Sequence, residues 1–193
     1  MVEIIEINSG QLDTYAKIPI SFSVSSILQI KLIHNGLGGI ILREEAIKIP
    51  YTKDYDKTTE GGPLEWSTHF DIQNWGFFLA VEELTPLAAA AVAFNTNGVN
   101  MLEGRGDLSV LWDIRVQPEK RGLGIGKSLF KYASNWSHIR GCTQMKIETQ
   151  NINTVACQFY QHMGCSLGSI HRFAYCHDPK IVYEVMLNWF IDL

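Results

Sequence analysis

Apolar and polar residues alternate along this chain in a way that predicts a mixture of strands and helices. Residues 3–7 have the two-residue period of a β-strand, and residues 108–116 form a run of strand length that is apolar on both faces, as in a sheet covered on both sides. Residues 126–139 instead place apolar side chains such as Leu129 and Trp136 at helical spacing. This mixture predicts an α/β (α+β) fold, in which helices flank a mixed central sheet.

The remaining elements follow from the same periods and from the turn residues between them. Asn35-Gly36 predicts a hairpin, and the polar stretch 50–62 predicts a loop. Alanines 88–91 are poor strand formers, so we expect another element to pack closely on that strand. The predicted helices are residues 11–17, 126–139 and 154–163, and the predicted strands are residues 3–7, 25–33, 40–45, 76–82, 87–94, 108–116, 145–149, 167–175 and 181–190.

Length and composition favour one folded domain and argue against some classes of binding partner. The chain has 193 residues, of which 46% are hydrophobic and 19% charged, which excludes a disordered protein. A net charge of -4 argues against binding nucleic acid, which needs a basic face. No apolar run reaches the roughly 18–20 residues of a membrane span, and the acidic start is unlike a signal peptide. Four cysteines without a Cys-x-x-Cys pair complete the prediction of a cytoplasmic protein with reduced thiols.

The most informative segment is a glycine-rich turn between a predicted strand and a predicted helix. Gly122, Gly124 and Gly126 alternate there, which lets the backbone approach a ligand closely. The first amides of the helix have no partner within it, and the helix dipole favours an anion at this end. Arg121 and Lys127 add positive charge. The segment therefore predicts a phosphate or pyrophosphate site.

Three phosphate motifs compete for this turn, beside a connection that binds nothing. A P-loop fits Gly126-Lys127-Ser128 but needs Gly where Arg121 stands. A dinucleotide fingerprint fits Gly122 and Gly124 but needs Gly where Lys127 stands. The third pattern, Arg/Gln-x-x-Gly-x-Gly/Ala, is matched throughout by Arg121-Gly122-Leu123-Gly124-Ile125-Gly126.

That hexapeptide resembles the pyrophosphate loop of the GNAT superfamily of N-acetyltransferases. Asn151-Ile152-Asn153 followed by Ala156-Cys157-Gln158-Phe159-Tyr160 is similar to a later helix of the same family. The resemblance implies acetyl-CoA as co-substrate, with pantetheine in a gap where strands 108–116 and 145–149 splay apart. It assigns contacts with the cofactor to Ile114, Arg115, Val116, Arg121, Gly122, Leu123, Gly124, Ile125, Gly126, Lys127, Asn153, Ala156 and Tyr160.

A closer similarity, to streptothricin acetyltransferases, covers most of the chain. It implies one N-acetyltransferase domain over residues 1–193, with 1–75 on the substrate side and 76–193 as the acetyl-CoA-binding core. It also implies direct transfer, in a ternary complex, to an amine of the β-lysine moiety of streptothricin. Val155 departs from the Pro that this subfamily favours. The strings that carry the similarity are residues 36–40, 53–56, 74–76, 111–116, 147–151 and 184–193.

Acetyl transfer from a thioester to an amine needs an acid near the sulfur and a route for the amine proton. The resemblance assigns the acid to Tyr160. Asp113 is the first candidate base; it shares a strand face with Arg115, so a structural pair with Arg115 is the competing role. The other routes for the proton are a water chain or one of the carboxylates Glu103, Asp107 and Glu148.

Other residues have smaller candidate roles in the chemistry. Asp54, Asp56 and Asp71 could collect a cationic amine or form a solvated loop. Cys157 lacks a neighbouring His as base, which disfavours an acyl-enzyme, and the His and Cys spacings predict no metal site. The apolar stretch 183–191 is compatible with a homodimer. Acetylation of another small amine or a protein amine, or acyl-CoA sensing without catalysis, are the alternative functions.

Overall fold

The structure is a computed structural model that describes residues 1–57 and 61–193. The helices are α1 (Leu12–Ala16), α2 (Trp66–His69), α3 (Ile125–Ile139) and α4 (Thr154–His162). The strands are β1 (Glu3–Ile7), β2 (Phe22–Ile33), β3 (Gly39–Lys53), β4 (Gly76–Glu82), β5 (Thr85–Phe94), β6 (Leu108–Val116), β7 (Gln144–Gln150), β8 (Ser166–His171) and β9 (Met186–Asp192). None of the helices in these two ranges is long and apolar enough to cross a membrane.

The chain divides into two units, each built from separate segments. The first unit comprises Met1–Ser21, Asp54–Ile147 and Phe190–Leu193, and the second comprises Phe22–Lys53 and Glu148–Trp189. These boundaries do not coincide with the predicted division at residue 75, which concerned ligands and stays a prediction.

In the first unit, the strand order is β1-β4-β5-β6-β7. The first four strands pair antiparallel, whereas β6 and β7 pair parallel from Leu108 opposite Gln144 to Leu111 opposite Ile147. Parallel neighbours need a crossover connection, and α3 supplies it between β6 and β7. The predicted mixed sheet flanked by helices is confirmed. The predicted splay between β6 and β7 involves residues of both units and stays a prediction.

The alanines of β5 allow both faces of that strand to be covered. Ala88, Ala89, Ala90 and Ala91 are fully buried. On one face, Ala89 and Ala91 join a core that contains Tyr15, Trp66 and Phe77. Helix α3 also packs against β5. The close packing expected from four small residues is confirmed, because a methyl group leaves room for large neighbouring rings.

The second unit contains the two-stranded sheet β2–β3, helix α4 and β9 beside β8. The predicted hairpin is confirmed, with Asn35 and Gly36 at positive φ in its turn. The predicted loop 50–62 was wrong at its start, since β3 continues to Lys53, which pairs with Phe22. An irregularity opposite Val24 and Ser26 accommodates Pro50, which cannot donate a ladder hydrogen bond. Positions 58–60 of that loop lie outside the described residues.

The last two predicted strands are shorter than the sequence pattern indicated. The strand expected at 167–175 ends at His171, and the strand expected at 181–190 begins only at Met186. Turns occupy most of the interval, held by backbone hydrogen bonds such as Glu184 N to Ile181 O at 2.8 Å. Local turn bonds therefore replaced strand pairing where apolar residues alone favoured a strand.

Candidate active site

The glycine turn has the backbone geometry that an anion site needs. Gly122 and Gly124 have φ of 81° and 85°, a left-handed conformation that side chains rarely adopt. Gly124 is the N-cap of α3 and has no side chain to cap it. A Cβ built at Gly122 or Gly124 would meet no atom within 4 Å, so space is open beside both residues. The first amides of α3 have no partner within the helix and can therefore donate to a ligand.

Arg121 braces this turn. Its Nε donates to Val116 O at 3.0 Å and its Nη2 donates to Ser21 O at 2.8 Å. Burial lowers the pKa of its guanidinium, and Glu119 opposes that shift. Lys127 and Leu123 are both exposed. Arg121 thus fixes the path of the backbone between β6 and α3 while it keeps a positive charge at the turn.

Asp113 and Arg115 form a buried ion pair on β6. Arg115 Nε donates to Asp113 Oδ1 at 2.9 Å and its Nη2 donates to Oδ2 at 2.7 Å, while Tyr15 Oη donates to Oδ1 at 2.6 Å. The Arg115 side chain is 1% exposed and the Asp113 side chain is 6% exposed. Burial first, and then Asp113, raise the pKa of Tyr15 well above its ordinary value. The structure therefore shows the pair that was one of two roles open to Asp113; its catalytic role stays a prediction.

Every N–H of the Arg115 guanidinium has an acceptor. Nη1 donates to Ile18 O at 3.0 Å and to Asp56 Oδ2 at 2.9 Å, and Nη2 donates to Asp56 Oδ1 at 3.0 Å. Burial would lower the pKa of this group, but the charge and hydrogen bonds of Asp113, together with Tyr15 and Asp56, outweigh it and the net shift is upward. Only the backbone of Arg115 therefore remains for its predicted contact with the cofactor. On β6, Ile114 and Val116 lie opposite Ala90 and Ala88 of β5.

The three carboxylates that could collect a cationic amine already have partners. Asp56 pairs with Arg115, and Asp54 lies 3.2 Å from Lys57 Nζ and accepts from the Asp56 amide at 3.2 Å. Asp71 accepts from the amide of Gln73 at 3.1 Å. These contacts give each of the three carboxylates a partner, and their role in collecting a cationic amine stays a prediction.

Two alternative bases in the same unit are also paired with cations. Glu103 accepts from Lys146 Nζ at 2.7 Å. Asp107 accepts from Arg105 Nε and Nη2 at 3.0 Å each and from Thr143 Oγ1 at 2.7 Å. Hydrogen bonds from Arg105 and then Thr143 hold the pKa of Asp107 well below its usual range. A carboxyl group with so low a pKa is a weak base.

In the second unit, α4 carries Asn153, Ala156 and Tyr160. Asn153 Oδ1 caps the helix by accepting from the Ala156 amide at 3.2 Å. Tyr160 is buried, and its ring centroid lies 5.2 Å from that of Phe159. The cap role of Asn153 is confirmed, and its pantetheine contact stays a prediction.

Cys157 on the same helix has the properties of a packed thiol. Its Sγ lies 3.4 Å from Thr149 Oγ1, which also accepts from Trp189 Nε1 at 2.9 Å. Burial raises the pKa of Cys157 to about 11, partly opposed by the Thr149 contact. A thiol with this pKa is almost wholly protonated at neutral pH, and the thiolate is the nucleophile.

The sequence did not reveal the partners of two glutamates in the second unit. Glu148 accepts from Tyr175 Oη at 2.6 Å, and Glu184 accepts from Lys53 Nζ at 2.6 Å. Lys53 and Glu184 are 131 positions apart, and no local pattern connects them. Among the assigned cofactor residues, the first unit brings together residues 114–116 and 121–127, and the second brings together Asn153, Ala156 and Tyr160.

Comparison with known proteins agrees with this geometry. The family described as "Acetyltransferase (GNAT) family" matches residues 45–165. Streptothricin acetyltransferase A of Bacillus subtilis (strain 168) is 26% identical over 147 residues, which are 76% of this chain and 76% of that protein. Streptothricin acetyltransferase of Escherichia coli is 33% identical over 84 residues, 44% of this chain, and the match spans only about half (48%) of that relative's length.

A crystal structure supports the fold over the whole length of the chain. A Bacillus anthracis str. Ames protein in complex with acetyl coenzyme A is 22% identical, with a TM-score of 0.76 and 100% of each chain covered. At 22% identity, this similarity shows a shared fold alone.

Proposed function

The chain belongs to the GNAT acetyltransferase family, and from this premise we propose that it acetylates a primary amine of a small cationic substrate with acetyl-CoA. The substrate that we propose is streptothricin, acetylated on its β-lysine moiety in a ternary complex. The similarity to two proteins named streptothricin acetyltransferase supports this choice. The proposed place of action is the cytoplasm.

The open glycine turn is the observation that carries the cofactor assignment. Two left-handed glycines with open space beside their Cα atoms precede a helix that has no side-chain cap. A pyrophosphate carries negative charge, which the amides, the helix dipole and Arg121 would stabilise together. The backbone of residues 114–116 would bind pantetheine as an added strand.

The remaining chemistry requires two proton movements. The substrate amine must lose a proton before it attacks the thioester carbonyl, since an alkylammonium has a pKa of about 10.4. When the C–S bond breaks, Tyr160 donates its phenolic proton to the departing thiolate and regains a proton from solvent. The local pairing of Asp113, Glu103 and Asp107 supports a water chain as the route for the amine proton.

The deciding experiment measures release of free thiol from acetyl-CoA with streptothricin as acceptor. Mass spectrometry of the product should show one added acetyl group on the β-lysine moiety. Boiled enzyme and acetyl-CoA without acceptor are the controls. Thiol release with other diamines or a protein amine, but not with streptothricin, would assign a different acceptor, and tight acetyl-CoA binding without turnover on any amine would indicate a sensor.

A further inference from the structure

Lys53 and Glu184 form an enclosed ion pair within the second unit. Lys53 Nζ lies 2.6 Å from Glu184 Oε1, and the two side chains are 14% and 10% exposed. Lys53 is the last residue of β3. Glu184 closes a turn in which its amide donates to Ile181 O. Val185 then exchanges hydrogen bonds with Asn151, its amide donating to Asn151 Oδ1 at 2.8 Å. Hydrogen bonds at Glu184 and at the next residue therefore fix the backbone that carries this carboxylate.

Only one of the two carboxylate oxygens is satisfied. Within residues 1–57 and 61–193, Glu184 Oε2 is buried and has no hydrogen-bond partner. A buried acceptor without a donor costs free energy, and more so when it is charged. By contrast, Glu44 in the same unit has both oxygens bonded, to Ser26 Oγ and to Gln158 Nε2.

Stability gives no reason to keep such a pair. Apolar side chains of similar volume usually stabilise a buried position as well as an ion pair does. A half-satisfied carboxylate is worse still. A buried polar group that is incompletely bonded requires an explanation, and a functional role in binding is one.

We propose that Glu184 binds an ammonium group of the amine substrate, which takes the place of the Lys53 ammonium. This inference rests on the proposed function and names the residue that recognises the cationic acceptor. Lys53 and the substrate offer the same chemical group, so the exchange keeps the carboxylate paired. A free ammonium has three N–H donors and can serve both oxygens, whereas Lys53 serves Oε1 alone.

Tyr51 supports an approach from solvent to this carboxylate. It lies two residues before Lys53 on β3 and is 45% exposed. Burial first, and then the charge of Glu184, raise the pKa of Tyr51, which places its hydroxyl in the electrostatic field of that carboxylate. An aromatic ring beside a carboxylate is a favourable environment for an alkylammonium. A β-lysine unit has two amino groups, so one can be held while the other reacts.

The test compares the two members of the pair, because a structural role and a binding role predict different results. Glu184→Gln should raise the KM for streptothricin about tenfold or more, the effect of one lost charge-assisted hydrogen bond, with the KM for acetyl-CoA unchanged. Lys53→Met should leave the KM for streptothricin equal or lower, since the carboxylate remains and its competitor is gone. Glu44→Gln is the matched control and should change neither KM.

Binding is measured independently as the rise in Tm that streptothricin causes in each variant. Lys53→Gln replaces Lys53→Met if the latter does not fold. Equal increases in the KM for streptothricin in both pair variants would assign a structural role and contradict the proposal, as would no change in Glu184→Gln. If the unmodified enzyme shows no turnover, the proposed function fails, and the Tm shifts alone then decide whether Glu184 binds the ammonium.

Discussion

Replacement of Gly124 by Ala tests the glycine turn with little disturbance of the protein itself. Gly124 has φ of 85°, and a Cβ there would meet no protein atom within 4 Å. The added methyl group would instead stand in the space that we assign to the pyrophosphate. It should therefore weaken acetyl-CoA binding as well as the fold, whereas Ala at a glycine outside the turn should affect the fold alone.

Gly141 provides a matched control at the opposite end of α3. It has φ of 83°, and its Cβ would also meet no atom within 4 Å. A left-handed conformation costs an L-residue about 1–2 kcal/mol. Each Gly→Ala variant should lose that much stability, which corresponds to about 2–8 °C in Tm for a protein of this size.

The two variants should differ in their affinity for acetyl-CoA. Gly124→Ala should raise its Kd about tenfold or more, equivalent to about 1.4 kcal/mol, whereas Gly141→Ala should leave it unchanged. Isothermal titration calorimetry measures the Kd, and thermal unfolding without ligand measures the stability loss. The reasoning is refuted if both variants lose similar stability and both keep the acetyl-CoA affinity of the unmodified protein.

Three further changes address the chemistry and the buried cluster. Tyr160→Phe should lower kcat, because it removes the proposed proton donor, with the Kd for acetyl-CoA nearly unchanged in calorimetry. Cys157→Ala should retain kcat in the thiol-release assay, because a thiol with a pKa of about 11 does not supply a thiolate at neutral pH. Tyr15→Phe should change the alkaline limb of stability: above pH about 10, unfolded Tyr15 releases its proton while the buried phenol keeps it, so the free energy of unfolding falls by about 1.4 kcal/mol per pH unit. Urea denaturation from pH 8 to 11 should show a shallower decline in the variant.

Each of these outcomes has a result that would contradict it. An unchanged kcat in Tyr160→Phe would remove the acid role from this residue. Loss of turnover in a folded Cys157→Ala, with an acetylated protein detected by mass spectrometry, would favour covalent catalysis. Identical alkaline slopes for Tyr15→Phe and the unmodified protein would mean that the native phenol ionises as readily as the unfolded one.

The sequence predicted those elements whose pattern is local. The period of residues 126–139 and the glycine before them indicated α3, and the strand-length run 108–116, apolar on both faces, indicated β6; both agree closely with the structure. The GNAT family, the mixed fold and the acetyltransferase class with acetyl-CoA as the family's co-substrate are confirmed. The roles of individual site residues stay predictions.

The secondary-structure predictions are wrong where hydrogen bonds with other residues override the local sequence pattern. Residues 51–53 follow Pro50 and look like the start of a loop, yet they pair with β2 beside an irregularity that tolerates proline. Residues 172–175 and 181–185 belong to stretches whose apolar side chains favour strands, yet short-range turn bonds occupy much of both segments. Propensity was outweighed in both cases by the hydrogen bonds available.

The glycine turn could be predicted from the sequence alone, since the requirement for positive φ at Gly122 and Gly124 acts within a few residues. Tertiary structure alone decided which charges meet. Arg115 finds Asp56 across 59 positions and Lys53 finds Glu184 across 131, and neither pair leaves a trace in local periodicity. Electrostatic pairing depends on distance in space and on burial, and both are set only when the segments that carry these residues have folded.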